Sequence, residues 1–234
     1  MLAPHHLIAV VEECAQWADR LVRADLIRGY VVTENDYTSN FTCALRREIN
    51  SRCIPGLVAH SQVLTPKVER QTGTDACIIF RNNDFFKVGL FEAKWPRLST
   101  HANCWDSIQK STSKSHFDSQ LKRQHGISNA AIWEMFYSEE PFGVNPHFPE
   151  HGSACIWHRD ACAVSSARTQ TMPWTDAELT ALLSANMLSI GDIVRAICEC
   201  TEGQRYPADA MQSHLLDLGI KGDILVVDLS AVHQ

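Results

Sequence analysis

A chain of 234 residues, 45% of them apolar and 21% charged, has material for one sizeable α/β core, alone or with a small appendage. No stretch approaches the ~20 uninterrupted apolar residues of a membrane helix, and the net charge of −6 argues against a surface coated throughout by nucleic acid, while leaving room for a local basic groove. Nine scattered cysteines, an odd number, with no basic leader before the apolar start, point to reduced thiols in a soluble, cytoplasmic protein.

In chain order, the first expected element is an amphipathic helix over 5–28. Leu7, Val10, Val11, Cys14, Trp17, Ala18, Leu21 and Val22 recur there at three- and four-residue steps, and Gly29 supplies a stop. A second helix is expected over 34–51, opened by Thr33 as N-cap and carrying Phe41, Leu45 and Ile49 on one side. Residues 57–64 predict a strand with a turn at Pro66. The runs 75–80 and 85–94 read as strands joined by Arg81-Asn82-Asn83-Asp84, strong turn chemistry, and hence as an antiparallel hairpin stopped by Pro96.

Beyond the hairpin the pattern predicts a helix over 103–124, a strand over 129–137, a Pro/Gly-rich loop over 138–152 and a strand over 153–164. Helices follow over 175–186, 189–200 and 207–218, the first with Thr175 and Glu178 spaced as a capping box, and 223–229 forms a last strand after Gly219 and Gly222. No repeat or low-complexity run interrupts this order. It predicts an α/β fold, a central mixed sheet flanked by helices with additional C-terminal helices and a strand. The expected parts are an N-terminal helix (1–30), a core (31–165) and a C-terminal extension (166–234) within the same domain.

The hairpin carries charges that a core strand resists. Residues two apart on a strand share a face, so Glu92 and Lys94 project together while Ala93 turns away. Asp75, at the start of the partner strand, falls across from the end carrying Glu92. Such groups are costly to desolvate unless they serve each other or a metal. Two carboxylates and the Ala93 carbonyl make an all-oxygen nest of the kind Mg²⁺ or Mn²⁺ prefers, and a neighbouring lysine can orient or deprotonate a water or balance phosphate charge.

Asp75 followed, after sixteen intervening residues, by Glu92-Ala93-Lys94 resembles the PD-(D/E)XK nuclease superfamily, with its restriction-endonuclease-like core. The lead-in Gln71-Thr72-Gly73-Thr74 and the expected element order over 34–137 are similar to the family as well, whereas no proline precedes Asp75. Lys94 is the only lysine two residues after an acid, which makes the match specific. The resemblance covers under half the chain. It implies Asp75 and Glu92 as metal ligands and Lys94 as the catalytic lysine of a Mg- or Mn-dependent nuclease acting on DNA. A third acid on the preceding helix is implied too; Glu34 and Glu48 are both open, and Glu34, at the helix start, matches the family pattern better.

Some branches of the family place a glutamine, followed four residues on by a tyrosine, on the next helix. Here Gln120 is followed by Gln124, which departs from that pattern. His116, Gln120 and Gln124 share one helical face and can line the same cleft. Fold analogy further suggests restriction or phage defence, a homodimer for double-strand cleavage, or a partner protein for recognition. The competing reading is a catalytically degenerate nuclease-fold module that binds DNA or a protein.

Residues 94–124 carry a net charge of +4, from Lys94, Arg97, Lys110, Lys114, Lys122 and Arg123 against Asp106 and Asp118, a local attraction for phosphates. Trp95 and Trp105 suit base stacking or core packing, with packing the simpler reading. His151, Cys155, His158 and Cys162 form H-x3-C-x2-H-x3-C, but they lack zinc-finger pairing around a turn and interleave with core-like Ile156, Trp157, Ala161 and Val164, so packing is preferred to zinc. No phosphate-loop, dinucleotide or serine-hydrolase motif is present.

Overall fold

The computed structural model describes residues 1–61, 74–98, 100–127, 129–142, 152–218 and 224–230. Expectations on Pro66, the Gln71–Gly73 lead-in, most of the 138–152 loop, His151, Gly219 and Gly222 lie outside these residues. The helices are α1 (His5–Ile27), α2 (Glu34–Ser51), α3 (His116–His125), α4 (His158–Ala167), α5 (Asp176–Asn186), α6 (Ile190–Cys198) and α7 (Met211–Asp217). The strands are β1 (Val58–Ser61), β2 (Ala76–Arg81), β3 (Phe85–Lys94), β4 (Ile108–Gln109), β5 (Lys114–Ser115), β6 (Ala131–Phe136), β7 (Ala154–Trp157), β8 (Tyr206–Pro207) and β9 (Leu225–Asp228).

Seven strands form one mixed sheet, with path β1-β9-β2-β3-β6-β7 and β8 added beside the start of β3. The β2–β3 hairpin is antiparallel, and Asn82 Oδ1 ties its turn by accepting the amides of Asp84 and Phe85. β3 continues into β6 as a parallel pair, and β9 runs parallel to β2 between it and β1. The C-terminal segment therefore supplies an interior strand of the same sheet that holds the hairpin.

Alternation along the strands gives the sheet two unlike faces. One face, with Ile78, Phe80, Phe91, Ala93, Trp133 and Met135, packs under α1, α2 and α6 in one large apolar core. The other face carries two separate cores. Phe117, Leu121, Phe136, Ile156 and Trp174 pack beneath α3–α5, and Cys77, Ile79, Val88, Leu90 and Ile132 pack with Leu215 of α7. On β6, Glu134 stands between Ile132 of one core and Phe136 of the other, so the seam between the two cores is polar.

Helix ends follow local chemistry. Thr33, Ser115, Thr175 and Ser189 each accept an amide from the first turn of the helix they precede, the last two within reciprocal capping boxes. After α1, Gly29 takes φ of 76°, the left-handed backbone that glycine adopts without penalty. Trp17 and Leu21 of α1, expected on its apolar face, are exposed.

Two expected elements are corrected. The helix over 103–124 exists only from His116 onward. Residues 103–115 form turns and the β4–β5 ribbon, because Asn, Ser and Thr side chains there compete for backbone hydrogen bonds, and Asn103 and Ser113 take positive φ. Asp106 organises the segment by accepting from Ser115 Oγ, the Phe117 amide and the Trp174 amide. The strand over 153–164 ends at Trp157. From His158 the buried residues fall at His158, Ala161 and Ser165, a helical step that a continuous apolar run conceals. Among the described residues no helix is long and apolar enough to cross a membrane.

Candidate active site

The hairpin register pairs Ala76 with Phe91, and the Asp75 amide donates to the Phe91 carbonyl. Asp75, a bend residue just before β2, thus stays beside the hairpin end and acts electrostatically on Glu92, while β6 pairs Glu134 with Glu92 on the other side. Glu92 and Glu134 therefore stand side by side on one face, at the polar seam, with Asp75 at the hairpin end beside Glu92. Asp75 is fixed by its own strand neighbour, since Oδ2 accepts the Ala93 amide at 2.7 Å. The N–H and C=O of a strand residue point to the same side, so the Ala93 carbonyl faces the space beyond the start of β2.

Glu92 and Lys94 are both buried, and Lys94 Nζ donates to Glu92 Oε1 at 2.5 Å. Gln120, from the second turn of α3, donates to the same oxygen through Nε2. The other oxygen, Oε2, is buried and has no hydrogen-bond partner among the described residues. Burial pushes the Glu92 carboxyl well above the usual carboxylate range; Lys94 opposes that, and Asp75 and Glu134 add to it. Burial works to lower the Lys94 ammonium, but the carboxylates of Glu92, Glu34 and Asp75 outweigh it and raise it above an ordinary lysine. Lys94 therefore keeps its proton at neutral pH and acts as a donor and fixed charge, not as a base.

The two candidates for a third acid part company. Glu34, the first residue of α2, accepts the Trp95 amide at 3.0 Å and acts electrostatically on Lys94. Glu48 pairs with Arg52 at 2.8 Å near the other end of α2. Asp75, Glu92, Lys94, Gln120, Glu34 and the Ala93 backbone are thus brought together, on elements remote in sequence. All the side-chain donors except Lys94 and Gln120 offer oxygens alone, a set that fits a hard divalent cation such as Mg²⁺ or Mn²⁺. The buried, unpartnered Glu92 Oε2 is the atom that such an ion would satisfy.

Three further groups border this centre and carry little sequence pattern. Tyr137 is buried with its hydroxyl unpartnered among the described residues, and burial raises its pKa with help from Glu34 and Asp75. His116 opens α3; burial, then Lys94 and Arg123, hold its imidazole below the usual histidine value, so it is neutral at pH 7. Glu134 is fully buried and meets Gln124 and His158 instead of a lysine. Only the i, i+4 spacing of His116, Gln120 and Gln124 pointed toward this side of the seam.

A cavity of about 540 Å³ opens beside Glu34, lined by Trp95, Arg97, His101 and Trp105 among others. The Arg97 guanidinium lies 4.2 Å from the Trp95 ring centre, which puts a cation and an aromatic face together at the edge of the acidic centre. Trp105 packs mainly against Phe117, Phe136 and Trp174. The H-x3-C-x2-H-x3-C spacing is broken up by the fold: Cys155 is buried in the core under α1 and α6, while His158 and Cys162 sit on α4 beside His125. Comparisons with protein-family models, curated proteins and solved structures returned no match to this chain.

Proposed function

We propose that the chain is a metal-dependent nuclease of the PD-(D/E)XK type with a restriction-endonuclease-like core, hydrolysing phosphodiester bonds in DNA. One observation carries this reading: Asp75, Glu92 and Lys94 meet at the hairpin end, with Glu34 and Gln120 joining from two helices and one Glu92 oxygen left buried without a partner among the described residues. Asp75, Glu92, Glu34 and the Ala93 carbonyl are the groups that would hold Mg²⁺ or Mn²⁺. When bound, such an ion supplies an acidified water and neutralises charge on the phosphate.

The chain's own groups do the rest. Gln120 and Lys94 clamp Glu92 Oε1, which fixes the carboxylate's orientation and leaves Oε2 for ligation. Lys94, held protonated, places positive charge where a phosphate oxygen gains negative charge in the transition state. Neutral His116, coupled to Lys94, offers an imidazole that can accept a proton at the rim. Trp95 and Arg97 present stacking and phosphate-binding surfaces in the adjoining cavity.

Purified protein is tested on supercoiled and linear DNA with Mg²⁺ or Mn²⁺, alongside Glu92→Ala and Lys94→Ala. Metal-dependent cleavage that both substitutions abolish is the expected result; cleavage unchanged by either one sinks the assignment. A second reading, a catalytically degenerate module that binds DNA, is favoured by the double occupation of Glu92 Oε1 by Lys94 and Gln120. It predicts DNA retention without cleavage at any Mg²⁺ or Mn²⁺ concentration. A role in restriction or phage defence, a homodimer or a recognition partner rests on family analogy alone.

A further inference from the structure

One turn along α3 from Gln120, the polar seam ends in a cluster of different chemistry. His125 closes α3, His158 opens α4, and Cys162 follows His158 at i+4, which stacks the two on one helical face. Each offers one ligand atom, and the three atoms lie within 4.8 Å of one another. Cys162 Sγ stands 3.7 Å from His125 Nδ1. That is near the ~3.5 Å edge of a tetrahedron built with Zn–N of about 2.0–2.1 Å and Zn–S of about 2.3 Å.

The imidazole of His158 is already oriented. Its Nδ1 lies 2.9 Å from Gln124 Oε1 and 3.5 Å from Glu134 Oε1. Both neighbours are acceptors, so the proton belongs on Nδ1 and the lone pair on Nε2. That Nε2 is buried and has no hydrogen-bond partner among the described residues. An imidazole backed by a buried carboxylate, with its other nitrogen unsatisfied, is the arrangement that orients a metal-bound histidine and raises its basicity. Packing of α3 on α4 alone gives no reason to bury an unpaired ring nitrogen.

We propose that His125, His158 through Nε2, and Cys162 bind a divalent cation of the zinc class, with the fourth coordination position open to solvent or a small ligand. A cavity of about 180 Å³, also lined by Arg159 and Glu202, adjoins the two histidines. Thiolate and imidazole select zinc or cobalt over magnesium, so this centre and the carboxylate centre take different metals. The cation clamps the end of α3 to the start of α4. α3 carries both Gln120 and Gln124, the glutamines that reach the two buried glutamates.

The test uses the full chain, stripped of metal and titrated with Co²⁺. One Co²⁺ per chain with thiolate-to-cobalt charge-transfer absorption, displaced by Zn²⁺, is expected. Cys162→Ser removes that absorption. His125→Asn changes an exposed residue, so it leaves the fold intact and weakens affinity at least about tenfold. Gln124→Ala weakens affinity about 10–100-fold with the absorption kept, as loss of an outer-shell partner does. Glu92→Gln leaves the absorption in place, because no sulfur lies at that centre, so failure of nuclease activity has no bearing on the result. Absorption that is absent from the native chain, or that survives Cys162→Ser, overturns the assignment.

Discussion

Glu92 and Glu134 occupy register-paired positions on adjacent parallel strands, both buried, and each receives a glutamine from the same helix, Gln120 or Gln124. Their remaining neighbours differ. Glu92 has Lys94 on its own strand and Asp75 across the hairpin, whereas Glu134 has the His158 imidazole. Backbone position and burial are thus nearly the same, and the donor set decides the chemistry. Oxygens with a fixed ammonium suit a hard cation and a phosphate; nitrogen and sulfur beyond a carboxylate suit a softer ion.

The largest effect separates the two acids directly. On the proposed nuclease reading, Glu92→Gln is expected to lower metal-dependent DNA cleavage by about 10²–10³-fold, the order seen when charge stabilisation of a transition state is removed. Glu134→Gln changes cleavage only a few-fold and instead weakens Co²⁺ binding at the His125–His158–Cys162 cluster about 10–100-fold. Cleavage assays and cobalt titrations on the same two variants read both effects. Equal losses of cleavage would erase the distinction.

Next comes the stability of the Glu92 side. Lys94→Met removes one partner of a buried pair and costs about 3–5 kcal/mol where Glu92 is ionised, because a desolvated carboxylate is left without its counter-charge. Burial already raises the Glu92 pKa and Lys94 holds it down, so the substitution raises it further. A carboxyl raised in the folded state contributes stability that is full below its unfolded pKa of about 4.3 and is lost as pH rises through the folded value. Urea denaturation should therefore find a smaller loss in Lys94→Met near pH 4.5 than near pH 8. A loss that is the same at both would mean that Glu92 is not the group left uncompensated.

A smaller effect tests whether the Glu92 side opens to substrate. Arg97 lies in the cavity beside Glu34, on the face of Trp95. If it meets a phosphate, Arg97→Ala weakens DNA binding uniformly across sequences and lowers the slope of log affinity against log salt by about 1. Affinities measured at several salt concentrations decide this. An unchanged slope would assign Arg97 to packing on Trp95.

The Glu92 side was legible in the sequence because its information is local. A two-residue period puts Glu92 and Lys94 on one face, and the Asn82–Asp84 turn returns Asp75 to them. Glu34 was preferred to Glu48 only on the resemblance of its helix-start position to a family pattern, and its contact with the Trp95 amide is non-local. Glu134 was not legible: WEMF reads as a core strand, and its partnership with Glu92 exists only through the non-local β3–β6 pairing. His158 was hidden by an apolar run that changes from strand to helix at that residue, and the cluster it joins takes His125 from a different helix. The interior position of β9 is likewise a matter of pairing, not of pattern.

The smallest prediction places a third acid beside these two as a control of opposite sign. Asp228 of β9 accepts both Nε and Nη2 of Arg81, at 2.9 and 2.7 Å, which ties β9 to β2 near the hairpin turn. Partial burial works to raise its carboxyl, but bonds from Ser230 and Arg81 outweigh it and hold Asp228 below the usual range. A depressed carboxyl contributes stability that is full above its unfolded pKa of about 3.9 and is lost as pH falls through the folded value. The pair is partly solvent-exposed, so Asp228→Asn costs at most about 1 kcal/mol at neutral pH. That difference should shrink as pH falls below about 3.9, opposite to the trend for Lys94→Met. Denaturation curves for both variants across pH 3–8 then separate an acid held by a surface guanidinium from one held in the seam, and parallel slopes would show that burial does not set the two apart.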